Sequence, residues 1–309
     1  MKKIVTFSII ACAFSISAFA QEEIFKVLVS KGKNMVDHSK PVFAGSKIHK
    51  GQTITIVQGG YLGLIYKNGR SMELKTPGEY PAESLEKNAI ASSGSFTKKY
   101  ADLVMNEMTK APEDLTVNRK KNSGVTGSVD RGGKDAVVLL APKTTDLLSN
   151  EVKIKWLKDS VSRGGYVVKF KDMFDEPLKT VETADTFVTV KVPELGLKQT
   201  KSFIITVDPK VLPKDYSAPE GKLIKVVEGK RAEDLQKEMK NVKEEAGGES
   251  ALSNIILAAF CEQHKLYLEA IGYYEQAIAM EPSVEEYKYA YDSFLVRNKI
   301  FQAGTDLKK

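Results

Sequence analysis

The side chains that most often carry out catalysis or bind metals are scarce in this chain. Its three histidines are His38, His49 and His264, and none stands at metal-ligand spacing from another histidine or from a cysteine. Of the two cysteines, Cys261 falls on the apolar face of a predicted helix, where a thiol packs as a small hydrophobic side chain. These residues therefore predict neither a metal site nor a cysteine nucleophile.

Two other short segments contain residue types that can bind ligands. Asp172, Asp175 and Glu176 fall in one predicted turn but lack the regular spacing of calcium-binding loops, which favours a solvated cluster. Residues 59–63 (GGYLG) lack both the GxGxxG spacing and a following helix, so they predict a hairpin. No GxSxG, HExxH or P-loop motif occurs. Because no acid, base and nucleophile converge, we expect a protein that is not an enzyme and that holds no cofactor or metal.

Residues 1–20 predict a signal peptide. Two lysines precede an apolar run that ends in Ala18-Phe19-Ala20, the small-x-small pattern of a cleavage site. The run is too short to span a membrane comfortably, and no later segment is apolar enough to cross one. We therefore expect an exported chain, periplasmic or secreted, that begins at Gln21. The alternative is a lipoprotein anchored through Cys12, because the residues IIAC that end there loosely resemble a lipobox.

The charge balance argues against a nucleic-acid partner. The 309 residues include 46 basic and 40 acidic side chains, a net charge of +6, and loss of Lys2 and Lys3 with the signal lowers this charge by two. The excess is spread along the chain rather than clustered, as nucleic-acid binding requires. Residues 113–135 are the most polar and basic stretch, and since no aromatic residue interleaves with their charges we expect a solvated linker.

Residues 22–112 predict a small antiparallel β unit with a closing helix. Apolar stretches rich in Val, Ile, Tyr and Thr alternate with glycines up to residue 90, and residues 67–70 (KNGR) predict a turn between two of them. From Ser95 the apolar residues follow helical spacing until Pro112 stops the pattern.

The glycines of this unit carry a resemblance. Gly45, residues 51–54 (GQTI) and residues 64–70 (LIYKNGR) resemble the glycine-punctuated hairpins of the periplasmic FecR-like domain. Proteins with that domain often signal across the inner membrane to a sigma factor. The resemblance therefore implies a ligand-binding or sensory module, although the membrane helix that such a signaller needs is missing from the sequence.

Residues 136–228 predict a β-sandwich. Short apolar runs recur at sandwich-like spacing with turn residues between them, and no helical pattern intervenes. Trp156, the only tryptophan, lies on an alternating strand and is expected in the core. With this early tryptophan and the later runs at residues 166–168 and 203–207, the stretch resembles a fibronectin type III or immunoglobulin-like domain.

Residues 230–303 predict a helical tail. We expect helices over residues 231–246, Ser250 to His264, Leu266 to Met280 and Val284 to Phe301. The breaks between them fall at a Gly-Gly pair and at Pro282, since the residue before proline is biased out of the helical conformation.

Within this tail, residues 251–282 resemble one tetratricopeptide repeat. The matching residues are Leu257, Ala258, Tyr267, Ala270, Tyr274, Ala277 and Pro282, whereas Asn254, Cys261 and Asp292 depart from the pattern. One and a half repeats are fewer than the roughly three needed for independent stability. The missing neighbours must therefore come from helix 231–246, from the face of the β-sandwich or from another chain.

The resemblance also implies a docking groove, because the first helix of each repeat lines a concave face. Carried over by position, the partner-binding residues are Ile255, Ala259, Glu262, Gln263, Tyr289, Ser293 and Arg297. Tyrosine and arginine are among the residue types that most often dominate interfaces. The alternative is that helix 231–246 of the same chain fills the groove.

Together these patterns predict a multidomain chain, all-β followed by all-α: a small β unit with a closing helix, a β-sandwich and tetratricopeptide-like helical hairpins. We expect an exported, non-enzymatic adaptor or scaffold of the bacterial cell envelope that binds another protein through its helical tail and β modules. The second hypothesis is a periplasmic ligand-binding or sensory module for a glycan or small molecule. The third is an enzyme whose site is not recognisable.

Overall fold

The structure, a computed structural model, describes residues 22–90, 96–108, 137–157, 164–197, 201–214 and 216–300. The predicted signal peptide and the predicted linker of residues 113–135 lie outside these ranges. Within them, four β-sheets and six α-helices confirm the expected combination of β-rich and helical regions. None of the described helices is long and apolar enough to cross a membrane.

The first unit contains eight strands. They are β1 (Glu23–Lys31), β2 (Met35–Val36), β3 (Lys40–Pro41), β4 (Lys47–His49), β5 (Thr53–Ile56), β6 (Tyr61–Tyr66), β7 (Ser71–Leu74) and β8 (Gly78–Pro81). They form two antiparallel sheets, in the orders β4-β1-β6-β7 and β3-β2-β5-β8. The predicted turn at residues 67–70 is confirmed, since it joins β6 to β7 with Gly69 at a φ of 96°.

Strand β6 is buried on both faces, and its alternation separates two cores. Leu62 and Leu64 belong to the core of the first unit, whereas Tyr61 and Ile65 belong to the core of the helical tail. Gly63 shares the second face, where an added Cβ would lie 3.2 Å from a leucine methyl of a tail helix. Because successive strand residues point to opposite faces, β6 contributes side chains to both cores.

Two helices follow the first unit, α1 (Ala82–Ala89) and α2 (Phe96–Met108). The sequence patterns did not predict α1, which buries Ala82, Leu85 and Ala89 in the core of the first unit. Helix α2 is the helix that the spacing predicts. It touches β1, but its most extensive contacts are with tail helices. The expected closing helix is therefore corrected: α1 covers the first unit, and α2 lies between that unit and the tail.

The middle unit contains seven strands. They are β9 (Thr144–Leu147), β10 (Glu151–Lys155), β11 (Tyr166–Lys171), β12 (Pro177–Thr183), β13 (Phe187–Lys191), β14 (Ser202–Pro209) and β15 (Lys222–Val226). β10 pairs with β13, and the others form a five-stranded sheet in the order β12-β11-β14-β15-β9, in which β15 and β9 are parallel. Both sheets contribute to one apolar core. The predicted core position of Trp156 is confirmed, because the residue is 3% exposed and packs edge-to-face on Tyr166.

The tail contains four helices, each overlapping a predicted one. They are α3 (Gly229–Glu245), α4 (Ala251–Gln263), α5 (Tyr267–Met280) and α6 (Glu285–Arg297). Ser250 caps α4, because its side chain accepts a hydrogen bond from the N–H of Ser253. Helix α4 is buried on nearly every side, so it must be surrounded by other elements.

The rest of the chain encloses the α4–α5 hairpin. Helix α3, which overlaps the predicted helix 231–246, packs on α4, and α5 lies against β9 and β10 of the middle unit. The first unit is a third neighbour: the N–H of Leu252 donates to Glu73 at 2.7 Å, and the hydroxyls of Tyr61 and Tyr287 lie 2.6 Å apart. Helix α2 is a fourth. Residues of all three units therefore meet in one apolar core.

Candidate functional site

The candidate site is a cavity between α2 and the helices α4 and α6. Its volume is about 240 Å³. Five of the seven residues expected in the docking groove line it: Ile255, Ala259, Glu262, Gln263 and Arg297. Helix α2 supplies another wall through Leu103, Val104, Glu107 and Met108. Five of the predicted groove residues therefore share one cavity, and a helix of the same chain covers it.

The closing helix differs from the one that the sequence suggested. Helix α3, which contains residues 231–245 of the predicted helix, packs beside α2 and α4 but does not contribute to the cavity lining. Its apolar stripe is thin, with Leu235 and Val242 as its buried side chains. Helix α2 instead buries Tyr100, Ala101 and Val104, and this broader apolar face suits a groove between two helices. The prediction that helix 231–246 fills the groove is therefore wrong, and α2 fills it instead.

Tyr100 anchors α2 to the tail. Its ring is fully buried and meets the ring of Phe260 edge-to-face at 5.3 Å between centroids. Its hydroxyl donates to Oε1 of Glu238 at 2.6 Å and lies 3.1 Å from Nε2 of His264. Burial raises the pKa of Tyr100 and lowers the pKa of His264. At neutral pH the tyrosine is therefore a protonated donor beside an uncharged imidazole.

The first turn of α2 is fixed from two sides. The N–H and hydroxyl of Thr97 both donate to Oε2 of Glu245, at 3.0 and 2.9 Å. A carboxylate at this position also interacts favourably with the positive end of the helix dipole. On the other side Gly69 approaches so closely that an added Cβ would lie 2.5 Å from the backbone nitrogen of Lys98. These contacts position α2 over the groove.

Arg297 fixes the opposite end of α2. Its Nε and Nη2 donate to the two carboxylate oxygens of Glu262 at 2.6 and 2.5 Å, and its Nη1 donates to Glu107 at 2.9 Å. Bidentate arginine–carboxylate pairs are among the stronger polar contacts in proteins. The residue that was expected to bind a partner therefore joins α6 to α4 and α2.

The other predicted groove residues do not form one accessible surface. Ile255 and Ala259 are buried, at 0% and 6% exposure. Tyr289 is 45% exposed and Ser293 is partly exposed, but neither lines the cavity. Gln263 is exposed at the cavity rim. The groove as predicted would therefore need α2 to leave before a protein partner could enter it.

A second feature is the tip of the β11–β12 hairpin, residues 172–176. Oδ1 of Asp172 accepts hydrogen bonds from the N–H groups of Phe174 and Glu176, at 2.8 and 3.0 Å. The N–H of Asp172 donates to the carbonyl of Glu176, and Lys171 pairs with Asp175 at 2.8 Å. The acidic residues considered above for calcium therefore shape a turn, as Asx-type hydrogen bonding does.

This turn holds two apolar side chains in solvent. Phe174 is 70% exposed and Met173 is 42% exposed. Phe174 is the most exposed of the large apolar side chains in the described residues. The charges of this segment predict only a solvated turn. The signal for exposed apolar area is the Met-Phe pair between acidic turn residues, where polar side chains are the rule.

The other two potentially reactive side chains, Cys261 and Glu269, are buried in the fold. Cys261 is fully buried, and burial raises its pKa, so the predicted inert thiol is confirmed as a buried one. Glu269 accepts hydrogen bonds from the N–H groups of Leu148 and Ser149, at 2.7 and 3.1 Å, and so joins α5 to the middle unit. In the ranges that the structure describes, no three His, Cys, Asp or Glu side chains are grouped to hold a metal ion.

Comparisons with known proteins add no family to this geometry. No family model matches the chain, and no curated protein matches it.

Proposed function

We propose that this protein is an exported, non-enzymatic adaptor or scaffold of the bacterial cell envelope that binds another protein through the tip of the β11–β12 hairpin. Export rests on the signal-peptide pattern of residues 1–20. The observation that carries the binding proposal is Phe174, a large apolar side chain that is 70% exposed on a turn fixed by its own hydrogen bonds.

We also propose that each of the three units has the fold of the family that its sequence resembles. Two sheets around a buried tryptophan support a fibronectin type III or immunoglobulin-like middle unit. Ala258, Ala270 and Ala277 are fully buried, and such small side chains let α4 and α5 approach closely, which supports a tetratricopeptide-like tail. The two small antiparallel sheets are compatible with a FecR-like first unit.

The tip of the hairpin is suited to binding because its turn is already fixed before a partner arrives. An exposed phenylalanine leaves apolar area in water, and a partner that covers it gains the corresponding hydrophobic free energy. Because the turn is already fixed, binding orders little additional backbone and so loses less affinity to entropy. Asp175 and Glu176 are also exposed at this tip. The partner surface that fits is an apolar pocket with basic groups at its edge.

The closed groove also supports the hairpin tip, rather than the tail, as the docking site. A partner that entered between α4 and α6 would have to displace Tyr100 and separate Arg297 from Glu107. Binding at the tip requires no rearrangement of the tail. We therefore assign the tail a structural role and assign docking to the β module.

The test is capture of protein partners from the native envelope with Phe174→Ala and, as a matched control, Leu212→Ala. Leu212 is 58% exposed and follows β14, away from the tip. We expect Phe174→Ala to lose the partner and keep its melting temperature, and Leu212→Ala to keep both. Equal capture by wild type and Phe174→Ala would contradict the proposal.

A further inference from the structure

The cavity between α2, α4 and α6 has apolar walls and a polar rim. Leu103, Val104 and Met108 line it from α2, and Ile255 and Ala259 line it from α4. At the rim the guanidinium of Arg297 bonds the carboxylates of Glu262 and Glu107. Since these charged groups satisfy one another, the cavity attracts an uncharged apolar molecule more readily than an ion.

The volume sets the size of such a molecule. An apolar cavity of about 150 Å³ stays free of water and binds benzene, so a cavity of about 240 Å³ is large enough for a ligand. In proportion to benzene, which has six non-hydrogen atoms in about 150 Å³, it holds a molecule of roughly eight to ten such atoms. A ligand that covers the apolar lining removes this area from water, so binding stabilises the packing of α2 on the tail.

We propose that this cavity is a binding site for a small uncharged aliphatic molecule of roughly eight to ten non-hydrogen atoms, with its chain between α2 and α4 and any hydroxyl group at the rim by Gln263. The site is separate from the hairpin tip and does not depend on a protein partner. The aliphatic chain can belong to a free small molecule or to the end of a lipid acyl chain.

The direct test is titration of the full chain, carrying ¹³C-methyl methionine, with 1-hexanol. Met108 lines the cavity, whereas Met280 is 44% exposed at the end of α5. We expect a saturable shift of the Met108 methyl resonance, little change at Met280, and a rise in melting temperature. A parallel titration with phosphatidylcholine vesicles separates the two sources: a Met108 shift with vesicles as well assigns an acyl chain, and a shift with 1-hexanol alone assigns a free molecule.

Variants that fill the cavity with a larger side chain distinguish binding of 1-hexanol in the cavity from its general effect as a solvent. Ala259→Leu places a larger side chain in the cavity from α4, and Ala290→Leu does so from α6. We expect each folded variant to keep or raise its melting temperature without ligand and to lose the response to 1-hexanol. Ala279→Leu, at an exposed position of α5, should retain the response.

Two results would overturn the site. One is a Met108 resonance that follows Met280 throughout the titration, which would mean that 1-hexanol does not enter the cavity. The other is an undiminished Met108 shift in both filling variants, which would place the alcohol elsewhere. Having two filling variants, one on each helix, keeps the test decisive where one of them does not fold.

Discussion

The middle β unit and the helical tail bury similar side chains but assemble their cores from different parts of the chain. The core around Trp156 comes from residues 137–226, with Leu268 as its one contribution from a tail helix. The tail core instead draws on residues from Leu28 to Ile300 and includes Tyr100 of α2. The first core is local in sequence, and the second depends on contacts between remote segments.

This difference explains why the groove is unavailable to a partner while the hairpin tip is accessible. In the tail, the apolar faces of the α4–α5 hairpin are covered by α2, by β6 and by the middle unit. In the middle unit the two sheets cover each other, so an apolar side chain at a hairpin tip has no internal neighbour to contact. An apolar side chain exposed there leaves apolar area that a partner can cover without any change in the core.

The largest expected effect is that of Tyr100→Ala. Removal of this buried ring should lower the free energy of unfolding of the tail by about 3–5 kcal/mol, the range for large aromatic residues in cores. Helix content, followed by circular dichroism, should melt at a lower temperature than in the wild type. The fluorescence of Trp156, the only tryptophan, should report a smaller change in the middle unit.

The reciprocal variant is Trp156→Ala, for which the same range of about 3–5 kcal/mol is expected in the middle unit. Its helical signal should be less affected than that of Tyr100→Ala. If both variants shift every probe equally, the two cores unfold as one cooperative unit and the contrast between them fails.

A smaller effect is expected for Arg297→Ala. This change leaves the carboxylates of Glu262 and Glu107 without their shared guanidinium. Hydrogen bonds to charged groups contribute about 1.5–3 kcal/mol, and we expect the lower end of this range because the Arg297 side chain is 31% exposed. Arg231→Ala is the matched control, because Arg231 pairs with Asp146 but its side chain is 58% exposed, and exposed pairs contribute about 0–1 kcal/mol. Equal losses of stability in chemical denaturation would show that Arg297 does not close the groove.

The hairpin turn should be less costly to perturb. Asp172→Ala removes the acceptor of two backbone N–H groups, so we expect a loss of about 1 kcal/mol and a more mobile Phe174. Partner capture should weaken, because a flexible tip loses more entropy on binding. Asp185→Ala, at an exposed turn position of the same unit, serves as the control and should leave capture unchanged.

The smallest expected effect is a pH-dependent change in stability at Glu269, the residue that joins α5 to the middle unit. Burial raises the pKa of Glu269, and its Oε2 is buried without a hydrogen-bond partner in the described structure. Since the folded pKa lies above the unfolded one, this group contributes stability at low pH, which is lost as the pH rises through the folded value. The advantage of Glu269→Gln over the wild type, measured as melting temperature, should therefore grow as the pH rises above about 4.5, the ordinary pKa value for a glutamate carboxyl. A constant difference above that pH would contradict the burial of this carboxylate.

The contrast between local and remote contacts also explains which elements the sequence predicts and which it does not. Helices α3 to α6 follow from apolar periodicity and from the breaks at the Gly-Gly pair and Pro282, all of which are local signals. Trp156 follows from alternation on one strand. Helix α1 was missed because eight residues give too short a pattern. The position of α2 on the groove joins residues near 100 with residues near 260 and 297, and no local pattern specifies such a pairing.

The site residues show the same limit. One cavity is lined by five of the predicted residues, because α4 and α6 both contribute to its walls: Ile255, Ala259, Glu262, Gln263 and Arg297. Their exposure could not be predicted, since it depends on Tyr100 and Glu107, which come from a different region of the chain. Phe174 was overlooked because its exposure depends on the geometry of a turn that the sequence identified only by its acidic residues.

The most direct test of the central claim, that docking occurs at the hairpin tip and the groove serves the fold, is site-specific photo-cross-linking in the native envelope. A photoreactive phenylalanine analogue is placed at position 174 in one protein and at position 289 in another, because Phe174 and Tyr289 are both exposed aromatic residues. We predict a discrete cross-linked protein from position 174 and none from position 289. Cross-linking from position 289 with none from position 174 would instead place the partner on the tail and contradict the account.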